Sequence, residues 1–402
     1  MIIQTDKGLN SRSEANPFNE DGFLPIITAP MYSVVDEINY QVFLDNNIQV
    51  CFPRNTAEKI NSDWAWKDCF HAVSLNEFIS EFIDNPRSIG TRPYKRCIDT
   101  ANGNMPALHD AIRKAKEIHG EKLIIMAGNV ASEDAFAELA LAGADYIRVG
   151  IGGGGGCNTT SNTGVGQEDL CSLISSIKLE QKEAKVEHKA WVKTLAEDCY
   201  YNPDGTEDTV KKARHVKCER TNRLIANAKI VADGISSYIK QCEKEYGFND
   251  NGYAAINKLL FAGADLVMIG RLFAQCLESA GEKRYGLSSD SAPTYTWENF
   301  ARCHGIKEDD YSTKRRFVKD VKYAGMSTQQ EQKKYQPREG DNIFTTQTIK
   351  PSEGSVQWIP VCWTLHEWLH GSENQDSYPY LMGWVNSIRS AMAYTGRTSL
   401  SE

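Results

Sequence analysis

Five consecutive glycines, Gly152 to Gly156, run directly into Cys157 in this 402-residue chain, and Thr159 follows two residues later. Glycine reaches backbone angles that are closed to other residues, so such a run can wrap closely around a ligand or an ion. It can also present the thiol to a pocket, and a thiol is the best side-chain nucleophile near neutral pH. The pattern therefore predicts a nucleophilic cysteine on a glycine loop.

A glycine run is also typical of a flexible linker, and in isolation the two interpretations have similar weight. The flanking residues favour the loop. Residues 146–149 predict a strand that ends at the glycines, and no Ser- and Pro-rich linker composition surrounds it.

The composition is that of an ordinary globular protein, with 41% hydrophobic residues, 24% charged residues and a formal net charge of −8. The length allows one large barrel or two to three domains. No basic stripe indicates a nucleic-acid partner, so an anionic substrate must be held by local features rather than by overall charge.

The 11 cysteines are scattered from Cys51 to Cys362, without a CxxC pair or a zinc-like spacing of Cys and His. This distribution predicts free thiols in a reducing compartment. The first residues lack the charged start and apolar core of a signal peptide. No apolar run is long enough to cross a bilayer. We therefore expect a cytoplasmic protein with no membrane partner.

Short β-rich segments alternate with helical ones along the chain, which predicts an α/β fold with a parallel sheet. Eight such segments, counting a weak third one, favour a (β/α)8 TIM barrel, and an open doubly wound sheet is the alternative. No GxGxxG motif follows a strand, which argues against a Rossmann domain. The predicted strands are 24–28, 48–52, 71–74, 96–100, 123–127, 146–149, 229–232 and 266–269.

Helix signals lie between these segments. Ser132 is a predicted N-cap, two acidic residues follow it in the first turn, and Gly143 marks the end of that helix. Residues 107–118 and 382–394 also carry apolar residues at helical spacing.

Two segments depart from the alternation within what we predict to be one barrel domain, residues 1–402. Residues 168–228 are charged and longer than one connecting helix requires, which predicts a surface insertion. Residues 286–360 are polar and irregular, which predicts a long excursion or mobile flap after the last strand.

Several ordered blocks resemble the IMP dehydrogenase/GMP reductase family of purine nucleotide oxidoreductases. The strongest are MAGNV at 126–130, AGAD at 142–145 and the stretch 149–166, which contains CNTT and TGVG. The resemblance extends from 24–31 to 389–394. It implies chemistry at C2 of a purine nucleotide, through a covalent adduct with Cys157 and hydride exchange with a nicotinamide cofactor.

The resemblance implies three catalytic residues, Cys157, Thr159 and Glu353. Covalent addition of the thiol divides one hard step into two. GMP reductases expel ammonia from GMP, and because ammonia leaves poorly unless it is protonated, this reaction needs a general acid. The resemblance implies that Thr159 and Glu353 transfer the protons. Without the resemblance, Glu353 would count as an ordinary solvated residue.

The implied substrate contacts surround the nucleotide. Asp233 would accept hydrogen bonds from the ribose hydroxyls, although an Asp at a strand end can instead cap the next helix. Arg271 stands where the family has a small residue, and its guanidinium could bind phosphate through two hydrogen bonds. Met31 is as easily a core methionine. The full implied set is Met31, Asp233, Gly234, Gly270, Arg271, Tyr323, Met326, Ser327 and Gly354.

The resemblance also implies a cofactor, an ion and an assembly. The cofactor is NADPH for a reductase and NAD for a dehydrogenase, and the implied cofactor-side residues are Asp99, Asn102, Gly103, Asn129 and Lys350. The backbone carbonyls of Gly152, Gly154 and Cys157 resemble those that hold a monovalent cation, usually potassium. A homotetramer is implied by the family alone.

Within the family, the sequence favours GMP reductase. The chain passes from Ile98 to Met126 with no room for the regulatory module of the dehydrogenases, and Arg338 is followed by Glu339 rather than by the tyrosine that dehydrogenases use. The length of the segment between Gly325 and Glu353 instead favours a dehydrogenase. We therefore expect a divergent GMP reductase. One alternative is a different substrate, a deoxynucleotide such as dGMP. The others are an IMP dehydrogenase without its regulatory module and a catalytically retired nucleotide-binding protein.

Overall fold

A parallel sheet of eight strands forms the centre of the computed structural model. The sheet order is β1-β8-β7-β6-β5-β4-β3-β2, and a parallel bridge between Ile27 and Gln49 joins its two ends. The prediction of a (β/α)8 barrel is therefore confirmed, and each of the eight predicted segments overlaps one strand. These are β1 (Ile26–Thr28), β2 (Cys51–Phe52), β3 (Phe70–Val73), β4 (Tyr94–Asp99), β5 (Leu123–Val130), β6 (Tyr146–Val149), β7 (Lys229–Ala232) and β8 (Leu266–Ile269).

The structure describes residues 2, 7–56, 69–86, 93–167, 169–195, 222, 224–246, 251–287, 295–296, 316–324, 355–371 and 382–400.

Alternation along the strands divides the core into two clusters, because successive side chains of a strand point to opposite faces. In β4, Cys97 belongs to a small cluster inside the barrel, whereas Ile98 belongs to the large cluster between the strands and the helices. The inner cluster also contains Ile27, Cys51, Phe70, Met126, Val231 and Met268. Inward-facing positions at the strand ends therefore project into the mouth of the barrel, where barrel enzymes place their active sites.

The helices lie between the strands and after them. The predicted cap at Ser132 is confirmed, because its side chain accepts the N–H of Ala135, and Gly143 ends that helix with a φ of 106°. The helices are α1 (Tyr40–Asp45), α2 (Leu75–Ile79), α3 (Pro106–His119), α4 (Glu133–Ala142), α5 (Thr159–Thr163), α6 (Leu170–Leu195), α7 (Ile235–Tyr246), α8 (Tyr253–Ala262), α9 (Arg271–Ala274), α10 (Leu365–His370) and α11 (Trp384–Thr395).

Helix α6 occupies the beginning of the segment predicted as a surface insertion. Leu170, Ile174 and Ile177 on this helix are buried, and their side chains join the core around the barrel. Farther along, Leu179 and Val186 are exposed. The first half of α6 is therefore the barrel helix that follows β6, and the added length begins within the helix rather than before it.

The polar segment after β8 contains antiparallel strands where the structure describes it. Strand β11 (Arg316–Ala324) pairs with β9 (Lys283–Leu287), β10 (Tyr295–Thr296) and β12 (Val356–Pro360). Val318, Val321 and Tyr323 on β11 are buried. The described strands of the segment that we predicted as irregular thus form a small sheet, and buried apolar side chains of β11 pack on the core.

Two further expectations concern the described part of the chain. Its cysteines are all free, as the scattered spacing predicted. Among the same residues, no helix combines the length and the apolar character that a bilayer span requires.

Gly150, directly after β6, provides a test of the packing at the mouth of the barrel. Its φ is +128°, and a Cβ atom there would overlap the carbonyl oxygen of Asp233. Gly164 also has a positive φ, +72°, in the left-handed helical region, but open space around it. We expect Gly164→Ala to lower the free energy of unfolding by about 1 kcal/mol and Gly150→Ala to lower it by about 3 kcal/mol or more.

Urea unfolding of the two variants measures this difference. Equal losses at the two positions would show that the close approach of the backbone at Gly150 has no energetic consequence.

Candidate active site

The glycine loop packs backbone against backbone on the turn that follows β7. The Ser237 N–H, in the first turn of α7, donates to the carbonyl of Gly153 at 2.9 Å, and on the other side the Gly150 N–H donates to the carbonyl of Val130 of β5 at 2.8 Å. A side chain at Gly153 would overlap the carbonyl of Gly234. Gly153 is therefore required by this close approach, which a flexible linker would not make.

Cys157 and Thr159 meet at the end of this loop. The Cys157 thiol donates to the Thr159 hydroxyl, with Sγ and Oγ1 3.2 Å apart. The Cys157 N–H donates to the carbonyl of Gly154 at 3.0 Å, which forms a turn in the loop, and Cys157 is partly exposed. The loop thus presents a thiol and a hydroxyl together at the mouth of the barrel.

The start of β12 lies directly beside this loop. The N–H of Ser355, the residue before β12, donates to the carbonyl of Gly156 at 3.0 Å. Glu353 is only two residues earlier in the chain. Glu353 itself falls outside the described residues, as do Met326, Ser327, Lys350 and Gly354, so their roles stay predictions.

The carboxylate of Asp233 lies at the end of β7 and is held by three groups. Its Oδ1 accepts the N–H of Gly234 at 2.6 Å, and its Oδ2 accepts the amide of Asn129 at 2.8 Å. The Arg148 guanidinium lies 3.7 Å from the same Oδ2. The Asn129 amide also donates to the carbonyl of Gly150 at 2.6 Å, which joins this group to the glycine loop.

Arg148 on β6 was missed by the sequence analysis. It is only 3% exposed, and its Nη2 donates to Asp99 Oδ1 at 2.8 Å. Arg54 lies on the other side, 3.4 Å from Asp99 Oδ2. An arginine inside a buried strand, two positions before a glycine loop, was a signal for an ion pair, because a buried charge requires a partner.

These arginines determine the ionisation of Asp99. Burial acts to raise the pKa of the Asp99 carboxyl, but the charges of Arg148 and Arg54 outweigh burial and lower that pKa. Burial acts in the opposite sense on Arg148, whose pKa is nevertheless raised by the negative charges around it, including Asp99 and Asp233. The mouth of the barrel therefore holds two carboxylates and two guanidinium groups in one network.

Four predicted substrate residues lie close together, and we call them the candidate phosphate corner: Met31, Gly270, Arg271 and Tyr323. The Tyr323 hydroxyl lies 3.8 Å from the sulfur of Met31. A Cβ atom at Gly270 would lie 3.1 Å from that sulfur and 3.3 Å from the hydroxyl. Burial raises the pKa of the Tyr323 hydroxyl well above its usual range, although the Arg271 charge acts to lower it. Tyr323 is therefore a neutral hydrogen-bond donor in this corner.

The predicted cofactor-side residues lie at the ends of β4 and β5. The Gly103 N–H donates to the carbonyl of Asn129 at 2.8 Å, and Asp99 ends β4 in register with Gly128. Asn102 is exposed, and its side-chain oxygen accepts the N–H of Asn104 at 2.9 Å. The structure thus brings the described members of this set to one part of the barrel mouth.

The loop carbonyls are the oxygen ligands available for a cation. Among the described residues, no three His, Cys, Asp or Glu side chains form a metal-binding group. A cation at Gly152, Gly154 and Cys157 would therefore be held by backbone oxygens, which suit hard cations.

Fold and site together define a (β/α)8 barrel with a glycine loop after its sixth strand that carries Cys157 and Thr159 side by side. Residues 96–190 match the model of the IMP dehydrogenase / GMP reductase domain. This stretch contains Asp99, Asn129, Arg148 and Cys157. The predicted resemblance to that family is therefore confirmed over residues 96–190.

Individual relatives agree with this result over parts of their length. A GMP reductase of Shewanella pealeana is 46% identical over 78 residues, 19% of this chain and 22% of that protein. A GMP reductase of Oenococcus oeni is 33% identical over 187 residues, 44% of this chain and 57% of that protein. An inosine-5'-monophosphate dehydrogenase of Rhodopirellula baltica is 26% identical over 185 residues, 46% and 24% of the two chains. The chain thus matches less than two thirds of the length of these relatives.

Replacing Arg148 tests the buried network. In Arg148→Met, Asp99 and Asp233 lose the cation that they share, and we expect the free energy of unfolding to fall by about 3–5 kcal/mol. Arg113→Met is the matched control, because Arg113 pairs with Asp110 on an exposed helix face. Chemical denaturation should show a loss below about 1 kcal/mol for that control, and a similarly small loss for Arg148→Met would refute the network.

The lowered pKa of Asp99 predicts a pH dependence. Its ionisation stabilises the fold above the unfolded-state pKa of about 4, and this contribution disappears as the pH falls through the lower folded-state value. We expect the free energy of unfolding to fall less steeply in Asp99→Asn than in the parent protein as the pH falls below about 4. Denaturation at stepped pH measures the slopes, with Asp110→Asn as the exposed control. Identical slopes for Asp99→Asn and the parent would contradict the assigned direction.

Proposed function

We propose that this protein is a purine nucleotide oxidoreductase that acts at C2 of the base through a covalent adduct with Cys157. The reaction that we favour is the NADPH-dependent reductive deamination of GMP, or of a related guanine nucleotide such as dGMP. The observation that carries the proposal is the 3.2 Å contact between the Cys157 thiol and the Thr159 hydroxyl. This contact lies within residues 96–190, which match the model of the IMP dehydrogenase / GMP reductase domain.

The site offers complementary groups for each part of a nucleotide. The Asp233 carboxylate, at the end of β7, would accept hydrogen bonds from the ribose hydroxyls. The backbone at Gly234 and Gly270, with the neutral Tyr323 hydroxyl and the Arg271 guanidinium, would bind the phosphate. Met31 would contact the base from the corner that it shares with Tyr323.

The chemistry follows from the residues around C2. The Cys157 sulfur adds to C2 and gives up its proton toward the Thr159 hydroxyl that it contacts, and the amino group leaves as ammonia after Thr159 and Glu353 pass a proton to it. A reduced nicotinamide, when bound, supplies the hydride that C2 accepts. The carbon–sulfur bond then breaks, which releases IMP and returns the thiolate of Cys157 for the next cycle.

The described cofactor-side residues offer hydrogen-bonding groups that suit a nicotinamide nucleotide. Asn102 is exposed, and Gly103 lies against Asn129, so amide groups and backbone line the ends of β4 and β5. Asp99 and Asn129 are engaged with Arg148 and Asp233, and they would position the cofactor through this network. Potassium at the loop carbonyls and a homotetramer are further proposals that rest on the family resemblance.

The second candidate is an IMP dehydrogenase without the regulatory module. The long segment from Gly325 to Glu353 and the similarity to the Rhodopirellula baltica protein favour it. The reductase consumes GMP and a reduced nicotinamide cofactor, whereas the dehydrogenase consumes IMP and an oxidised one, so one assay of cofactor absorbance separates them.

The test is turnover by the purified protein. We expect NADPH absorbance to disappear on addition of GMP, and we expect Cys157→Ala to reduce the rate by about a thousandfold or more while nucleotide binding persists. Cys171→Ala is the control, because Cys171 is a free, partly exposed thiol on α6, and it should retain turnover.

Other outcomes replace the proposal. Formation of NADH from IMP and NAD would establish the dehydrogenase. Nucleotide binding without turnover of GMP, dGMP or IMP would establish a retired enzyme. Full activity in Cys157→Ala would refute the covalent route.

A further inference from the structure

We propose that Gln357 is a positioning residue that ties Arg271, the candidate phosphate ligand, to the loop that presents Cys157. Gln357 lies on β12, directly opposite Tyr323 of β11 in the sheet register. The inference deepens the proposed function and rests on it in one respect, the assignment of Arg271 to phosphate.

The Gln357 amide makes contacts in two directions. Its oxygen accepts a hydrogen bond from Arg271 Nη1 at 3.2 Å. Its nitrogen donates to the Ser355 hydroxyl at 2.8 Å and makes a longer contact of 3.4 Å with the carbonyl of Gly155. One side chain therefore links the guanidinium on α9 to both the start of β12 and the glycine loop.

The backbone beside Gln357 strengthens the same connection. The Ser355 N–H donates to the carbonyl of Gly156 at 3.0 Å, one residue before Cys157. Consecutive loop residues thus face β12, and a shift of β12 at Gln357 would move the loop where it presents the thiol. Because the glycines have no side chains to anchor them, these hydrogen bonds and the packing on the β7 turn hold the loop.

Arg271 needs such a link in order to act as a preorganised ligand. A free arginine side chain loses about 2 kcal/mol of rotamer entropy when it is fixed, and a prior hydrogen bond reduces the loss on binding. The guanidinium has five donors, and the Gln357 oxygen accepts from Nη1, which leaves other donors for an anion. The side chain also lies against Gly155, because a Cβ atom there would be 3.1 Å from Arg271 Cδ.

The test variant is Gln357→Met, which keeps the length and shape of the side chain and removes both polar atoms. The control is Gln41→Met, because Gln41 is exposed on α1 and its amide bonds only to Asp45 within that helix among the described contacts. Gln357→Glu is a second variant, which keeps an acceptor for Arg271, loses the donor to Gly155 and adds a charge that competes with phosphate.

The measurement uses the full chain without nucleotide. Iodoacetamide alkylation of Cys157 is followed by peptide mass spectrometry, with and without inorganic phosphate. We expect alkylation to be about twofold or more faster in both Gln357 variants. We also expect the phosphate concentration that gives half of the maximal protection to rise by at least as much, with no change in Gln41→Met. Circular dichroism checks that each variant is folded.

A double-mutant cycle with Arg271→Met decides the outcome, run with whichever Gln357 variant folds. If Gln357 acts through Arg271, the two substitutions together raise the half-protecting phosphate concentration by less than the product of their separate effects. Independent effects, or unchanged alkylation and protection in a folded Gln357 variant, overturn the proposal. Because no nucleotide is present, a failure of GMP turnover beside a positive cycle would refute the proposed function and leave the link intact.

Discussion

The contact between two stretches of backbone, the glycine loop after β6 and the turn after β7, determines where every other group of the site lies. Gly150 and Gly153 approach the carbonyls of Asp233 and Gly234 so closely that neither position has room for a side chain. The hydrogen bond from Ser237 to Gly153 fixes the same contact. The cysteine at the end of the loop therefore lies beside the residues that face the ribose and phosphate in the proposed complex.

The charges at the mouth of the barrel are the second constraint. Asp99 and Asp233 are drawn into a largely buried mouth, where an uncompensated carboxylate would be unfavourable. Arg148 lies between them, and Arg54 adds a second cation beside Asp99. The network keeps Asp99 ionised and holds the side chains at the strand ends in fixed orientations before any ligand arrives.

Much of this arrangement was predictable from local sequence. Short β-rich segments followed by helices predicted a parallel sheet, and their number favoured a barrel, because each of these signals is contained within a few neighbouring residues. The pairing of Cys157 with Thr159 was implied by the family resemblance, and both residues lie on the same short loop. The capping role of Ser132 was predictable for the same reason, since the side chain and the N–H that it accepts are three residues apart.

The missed features depend on partners that are distant in the chain. The sequence shows Arg148 only as one charge in an apolar strand, and its partners Asp99 and Asp233 become visible only in the folded structure. Likewise, Gln357 is one polar residue in a polar segment, and its contact with the glycine loop depends on the position of β12. The antiparallel sheet around β11 was missed because its strands are separated by long polar stretches, and its apolar residues become a pattern only when the strands pair.

The most direct test of the account is a covalent trap at the thiol. A purine nucleotide with chlorine at C2 should lose chloride when the Cys157 sulfur attacks that carbon, leaving the nucleotide attached through a carbon–sulfur bond. Peptide mass spectrometry should then find the nucleotide on Cys157, and excess GMP should prevent the labelling. Labelling spread over the other free cysteines at the same rate, or no labelling of Cys157 by a nucleotide that binds, would contradict the claim that this loop presents a catalytic nucleophile to C2.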